Sequence, residues 1–227
     1  MVRAVKYISG RSVRRGVRLN RKRMRRRAPG IGKSMLYSKP HFFKRSVFLA
    51  NLQTSTGIGN GTLFGSLTPQ LNTLPNVSEF GALYDQYRIT KVVYRFSWRA
   101  TGISAIEAAD QTMGAPYMLW AQDRDDSGVP TTVNQLREYA NCKEHYFNDS
   151  KRVCYITLIP NVLAMAYQTL TATSYSPAFN KWIDIGDGGV TPYYGLKYSI
   201  ITPGTAPTRS NFFDVDATFY FQMKNPR

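Results

Sequence analysis

Acidic residues are missing from the first 45 positions, which nevertheless hold 16 of the chain's 30 lysines and arginines. The other 14 basic residues are balanced by all 14 acidic ones, so positions 46–227 sum to zero and the net charge of +16 sits at the N-terminal end. A cationic end on a neutral body implies a molecule in two parts, whose end addresses a polyanion. Cysteine is also scarce. Two cysteines exclude a secreted disulfide framework. Cys142 and Cys154 are expected to flank a hairpin as free core thiols, and would face each other only if its turn centred on Asn148, with one residue of slip separating them. The two histidines, His41 and His145, have neither a nucleophile motif nor metal-ligand spacing around them. That excludes a catalytic site, a metal or cofactor site and a cupin-like enzyme as expectations. No apolar run approaches the ~20 residues of a membrane span, so no membrane partner is expected. Residues 1–30 lack the apolar centre of a secretory signal, and Gly10, Gly16 and the run Arg21 to Arg27 break any apolar face of a mitochondrial presequence.

What is there begins with an arm, residues 1–40. Its cations up to Lys33 are Arg3, Lys6, Arg11, Arg14, Arg15, Arg18, Arg21, Lys22, Arg23, Arg25, Arg26, Arg27 and Lys33. Each can displace a counterion condensed on a phosphate backbone, giving strong, sequence-tolerant and salt-dependent binding. Arginine adds forked contacts to phosphate oxygens. Self-repulsion predicts disorder until phosphates are supplied, and the same run reads as a nuclear import signal. Gly30-Ile31-Gly32-Lys33-Ser34 resembles the end of a phosphate-binding loop, but Arg27 stands where that loop needs glycine, so no ATP site is expected.

The body, residues 41–227, is long enough for one well-buried core. Its aromatic and β-branched residues, with proline and glycine between apolar runs, favour an all-β domain. Strands are predicted near 42–52, 87–99, 116–121, 142–148, 152–160, 180–185, 193–202 and 212–224. Alternation is clearest in three of them. Val92, Tyr94, Phe96 and Trp98 oppose Lys91, Arg95 and Arg99. Tyr194, Leu196, Tyr198 and Ile200 oppose Lys197 and Ser199. Phe213, Val215, Ala217, Phe219, Phe221 and Met223 oppose Asp214, Asp216, Thr218 and Gln222. Each apolar face needs a second layer, which predicts a sandwich with one wet face per sheet. The 152–160 strand is apolar on both faces and is expected to be central or covered. Capping-box spacing predicts short helices after Asn76 (with Glu79) and Thr132 (with Gln135). The connections 53–75 and 100–115 read as surface loops. Eight antiparallel strands with long connections predict a jelly roll.

Lys91, Arg95 and Arg99 form a basic face that suits either solvent or nucleic acid. Asp123, Asp125 and Asp126 lie before Gly128 and Pro130. Arg124 among them, and the absence of alternating oxygen ligands, make a solvated turn the expectation over a cation loop.

The segment Tyr84-Asp85-Gln86-Tyr87-Arg88-Ile89-Thr90-Lys91-Val92, following Phe80 and Leu83, resembles the capsid proteins of circovirus-like, Rep-encoding single-stranded DNA viruses. The Asp125-Asp126 turn and the last strand, Phe213 to Gln222, are also similar to that family. The resemblance implies a jelly-roll coat protein, in an icosahedral shell of about sixty copies around a small circular DNA. It further implies residence in the virion, and in the host nucleus during assembly, with host import receptors and a cell-surface receptor as partners. Sixty chains at +16 bring on the order of a thousand positive charges to the genome. Two other readings share the same physics: the coat of a small RNA virus or satellite, and a ribosomal-type RNA-binding protein. Against the latter stands the neutral body.

Overall fold

The computed structural model describes residues 39–54, 61–99, 115–168, 173–203 and 210–226. The arm cations from Arg3 to Lys33, and nearly all of the 100–115 connection, lie outside them. Among the described residues the chain forms β1 (His41–Gln53), β2 (Thr62–Leu67), α1 (Val77–Leu83), β3 (Tyr84–Arg99), β4 (Tyr117–Ala121) and α2 (Val133–Arg137). Then come β5 (Lys143–Tyr146), β6 (Val153–Leu158), β7 (Val162–Gln168), β8 (Thr173–Ala178), β9 (Ile183–Asp184), β10 (Leu196–Ile201) and β11 (Phe212–Pro226).

One sheet runs β1-β11-β3-β6, with β9 also pairing β3; the other runs β2-β10-β4-β5, and β7-β8 is a separate hairpin. All pairings are antiparallel. The first strand therefore lies beside the last, β2 beside β10, β3 beside β6 and β4 beside β5. A long antiparallel ribbon rolled on itself gives this order, which is the jelly roll. The core between the sheets holds Tyr87, Ile89, Val92, Tyr94 and Phe96 from β3 and, beside them, alternate residues of β11 such as Phe213, Phe219 and Phe221, facing Tyr198 and Ile200 from β10. Its inward set on β3 changes phase between Ile89 and Val92. A bulge absorbs the extra residue, Thr90, whose hydroxyl donates to the Tyr220 carbonyl at 2.9 Å.

Several expectations need correction. The 53–75 connection contains β2, which pairs β10 through its whole length. Its Gly65 admits the Tyr198 ring so closely that a Cβ there would lie 2.3 Å from ring atoms. The 152–160 strand is not central: β6 is an edge, with Cys154, Ile156 and Leu158 inward and Tyr155 outward. On β10 neither face is wet, since Lys197 and Ser199 are buried as well. The segment 122–142 with α2 covers that side, where Leu119, Ala121 and Leu136 make a second apolar cluster. Cys142 and Cys154 do not flank a hairpin. The first precedes β5, which pairs β4, whereas the second is on β6, which pairs β3; both thiols are free. Asn76 makes no capping bond, because it adopts a left-handed conformation, φ 64°. Thr132 does cap α2, accepting from the Gln135 amide, and the Gln135 side chain returns to the Thr131 amide at 2.8 Å. No described helix is long and apolar enough to cross a membrane.

Candidate nucleic-acid interface

Alternation on β1, β11 and β3 sends every second side chain away from the core, onto one sheet face. Cross-strand register assembles these side chains into rows. One row is Lys44, Tyr220 and Lys91; the next is Ser46, Thr218 and Val93; a third is Phe48, Asp216 and Arg95, which continues to Tyr155 on β6. The predicted basic residues Lys91, Arg95 and Arg99 thus share this face. They do not stand free. Arg95 bonds Asp216 at 3.2 Å and the Ser97 hydroxyl at 3.1 Å, and Arg99 pairs with Asp214. Lys91 lies 4.1 Å from the centre of the Tyr220 ring, with Lys44 approaching the same ring at 5.6 Å.

Sequence reasoning missed Lys44, Arg88 and Lys224 as members of this face. Arg88 donates through Nε and Nη2 to the Gln222 side chain, at 2.9 and 2.6 Å. Its guanidinium also lies 4.4 Å from the Trp182 ring centre, and Lys224 lies 4.6 Å from it. Across β1, β11 and β3, Lys44, Arg88, Lys91, Arg95, Arg99 and Lys224 share this face with Asp214 and Asp216. Cations interleaved with rings suit a single-stranded polyanion, since ammonium and guanidinium groups meet phosphates while rings meet bases. The signal that would have found Lys44 and Lys224 was the pairing of the first strand with the last and of the last with the 87–99 strand; Arg88 was hidden by the bulge at Thr90.

The acidic turn is a different kind of site. Lys197 sends its ammonium under the 122–142 segment to Asp123 and Asp126, each at 2.7 Å. The Tyr139 hydroxyl donates to Asp123 at 2.7 Å. Burial by itself would raise the Asp123 carboxyl, but bonds from Asp125, Lys197 and Tyr139 outweigh it and hold the group well below the usual carboxylate range. The Lys197 hydrogen bond likewise lowers Asp126. For Lys197, burial pulls down while bonds to Asp123 and Asp126 prevail and raise it. Asp125 and Asp126 are exposed, as a solvated turn requires, but the expectation is corrected for Asp123, which is buried against a lysine more than seventy positions away. Among the described residues no group of three or more His, Cys, Asp or Glu is arranged to hold a metal ion. His41 opens β1, its Nδ1 2.6 Å from the Tyr84 hydroxyl, and His145 packs edge-on against Phe147.

The family model described as circovirus capsid protein matches residues 11–227. The chain belongs to the circovirus capsid protein family. This makes it a viral capsid protein and a component of the virion. Among solved structures, the BFDV capsid protein in a 60-mer is similar at 15% identity and TM-score 0.58, covering 82% of this chain and 94% of that one. A decameric BFDV capsid protein is similar at 14% identity and TM-score 0.51, covering 82% and 99%. These likenesses show the jelly-roll fold. A search of curated proteins gives no match.

Proposed function

We propose that this circovirus-family capsid protein self-assembles into an icosahedral shell of about sixty copies and packages single-stranded DNA through its arm, residues 1–40, while residues 41–227 form the shell wall. The segregation of charge carries this reading: all of the net +16 sits within positions 1–45, and positions 46–227 sum to zero. A related protein forming a 60-mer supports the copy number. The thirteen cations from Arg3 to Lys33 neutralise phosphate, and Lys91, Arg95 and Arg99 add contacts from the sheet face. The role is structural, with no catalytic step. The same basic run engages host import receptors, so assembly takes place in the nucleus, and a host surface receptor meets the finished particle.

The test replaces Arg21, Lys22, Arg23, Arg25, Arg26 and Arg27 with glutamine. At ~0.7 counterions per contact on a single strand, the slope of log affinity against log salt should fall by about 4. Purified particles should still form but protect much less DNA from added nuclease. An unchanged slope, or particles filled with RNA, overturns the reading.

A further inference from the structure

Beside its cations, the β1-β11-β3-β6 sheet carries a groove of about 300 Å³ on the side away from the core. Phe48 and Tyr155 stand at its two sides, 56% and 66% exposed. They are the ends of one cross-strand row, Phe48–Asp216–Arg95–Tyr155, and three strand spacings put them ~14 Å apart. A bulge between Phe48 and Ala50 breaks the parity of β1 just after Phe48. Phe48 faces out in phase with Lys44 and Ser46, while Leu49 packs on the core. The floor is the neighbouring row of small side chains, Ser46, Thr218 and Val93, whose two hydroxyls lie 3.0 Å apart. One row further on stand Lys44 and Lys91 about the Tyr220 ring.

Two exposed rings on a folded sheet need an occupant that tolerates water and brings flat apolar surface. The charge of the surrounding rows selects its sign: Lys44, Lys91 and Arg95 surround the groove, and Asp216 alone among its lining residues is acidic. We infer that this groove takes unpaired bases of a single-stranded nucleic acid, which stack on Phe48 and Tyr155 while Lys44 and Lys91 hold the flanking phosphates. The inference rests on the packaging reading and deepens it, adding base contacts to a molecule otherwise read as binding by charge. The ~14 Å gap far exceeds the thickness of one base, so Phe48 and Tyr155 are separate platforms and not a clamp around one ring. Ser46 and Thr218 offer hydroxyls to base edges without favouring any one base, which makes the groove tolerant of sequence.

The probes are a twelve-residue oligodeoxythymidylate and an abasic deoxyribose-phosphate strand of equal length, bound to full-length protein and read by fluorescence anisotropy. At about 1 M salt, where the Debye length is ~3 Å, the arm's contribution is largely screened. Each stacked base should then favour the thymidylate strand over the abasic one by ~5- to ~100-fold. Phe48→Ala and Tyr155→Ala should each reduce that preference, and Phe48→Tyr and Tyr155→Phe should keep it. Because both rings are exposed, the alanine variants should melt with the wild type. Equal affinity for the two strands, or a preference unchanged in both alanine variants, overturns the inference while leaving packaging by the arm intact. Alanine variants that fail to form particles yet keep the base preference also overturn it, and assign the face to a neighbouring subunit. Failure of either strand to bind at low salt removes the packaging reading itself.

Discussion

Lys197→Met tests whether the 122–142 segment is held down by a buried ion pair. The side chains of Lys197 and Asp123 are each 6% exposed, whereas Asp126 is open to solvent. Methionine preserves the length of the stem but leaves the Asp123 carboxylate buried without its cation. Breaking such a pair costs about 3–5 kcal/mol, while the exposed Asp126 contact adds under ~1 kcal/mol. For a domain of this size each kcal/mol moves Tm by ~2–4 °C, so the variant should melt ~6–20 °C lower. Near-ultraviolet circular dichroism at fixed protein concentration reads the transition. The double variant Lys197→Met with Asp123→Leu should recover most of the loss, since apolar replacement of a whole buried pair is close to neutral. The pH dependence carries the sign of each group. Asp123 is depressed, so its contribution is complete above the unfolded value of ~3.9 and is lost as pH falls through the folded one. Lys197 is raised, so its contribution is complete below ~10.4 and is lost as pH rises beyond. Stability should therefore plateau between about pH 5 and pH 10, with both flanks flatter in the variant. A Lys197→Met protein within ~1 kcal/mol of wild type, or a double variant no better than the single, would refute the buried-pair argument.

Two glycines offer opposite outcomes. Gly65→Val drives a side chain into the Tyr198 ring and should destabilise by at least ~1–3 kcal/mol in urea, whereas Gly81→Ala on α1, with open space around it, should stabilise by up to ~1 kcal/mol. A neutral Gly65→Val would mean that Tyr198 leaves the core readily. Burial pushes the Cys154 thiol up to about 11, so iodoacetamide at pH 8 should label half-buried Cys142 first and reach Cys154 only through unfolding, with mass spectrometry of peptides separating the two. Rapid labelling of Cys154 in the native protein would contradict its place in the core.

Periodicity made β3 and β11 legible, because each buries one face against a layer that the alternation itself demands. It failed where burial is uneven or the cover comes from elsewhere. Every residue of β2 is half-buried and Gly65 interrupts its side chains, so no face declares itself. The β7-β8 hairpin was invisible because most of its described side chains stay exposed and its pairing is internal. Lys197 looked solvated since its cover, the 122–142 segment, is local to β4 and remote from β10 in sequence. The same distance hid the partner of Asp123. At the candidate interface Lys91, Arg95 and Arg99 were legible from spacing alone. Asp214 and Asp216 were visible on the last strand, but only the β3–β11 register brings them to Arg99 and Arg95. Phe48 joins the outward row of Lys44 and Ser46, a placement that only the β1–β11–β3 register reveals.

The two halves of the molecule divide recognition by physics. An arm that binds through counterion release takes any dense polyanion, and a duplex presents more charge per length than a single strand, so charge alone favours the wrong form of a single-stranded genome. Stacking works the other way, because a duplex has already buried the faces of its bases and only an unpaired base can cover Phe48 or Tyr155. On the inferred groove, preference for single strands should therefore grow as salt rises and the arm is screened, whereas an arm acting by itself would lose both forms together.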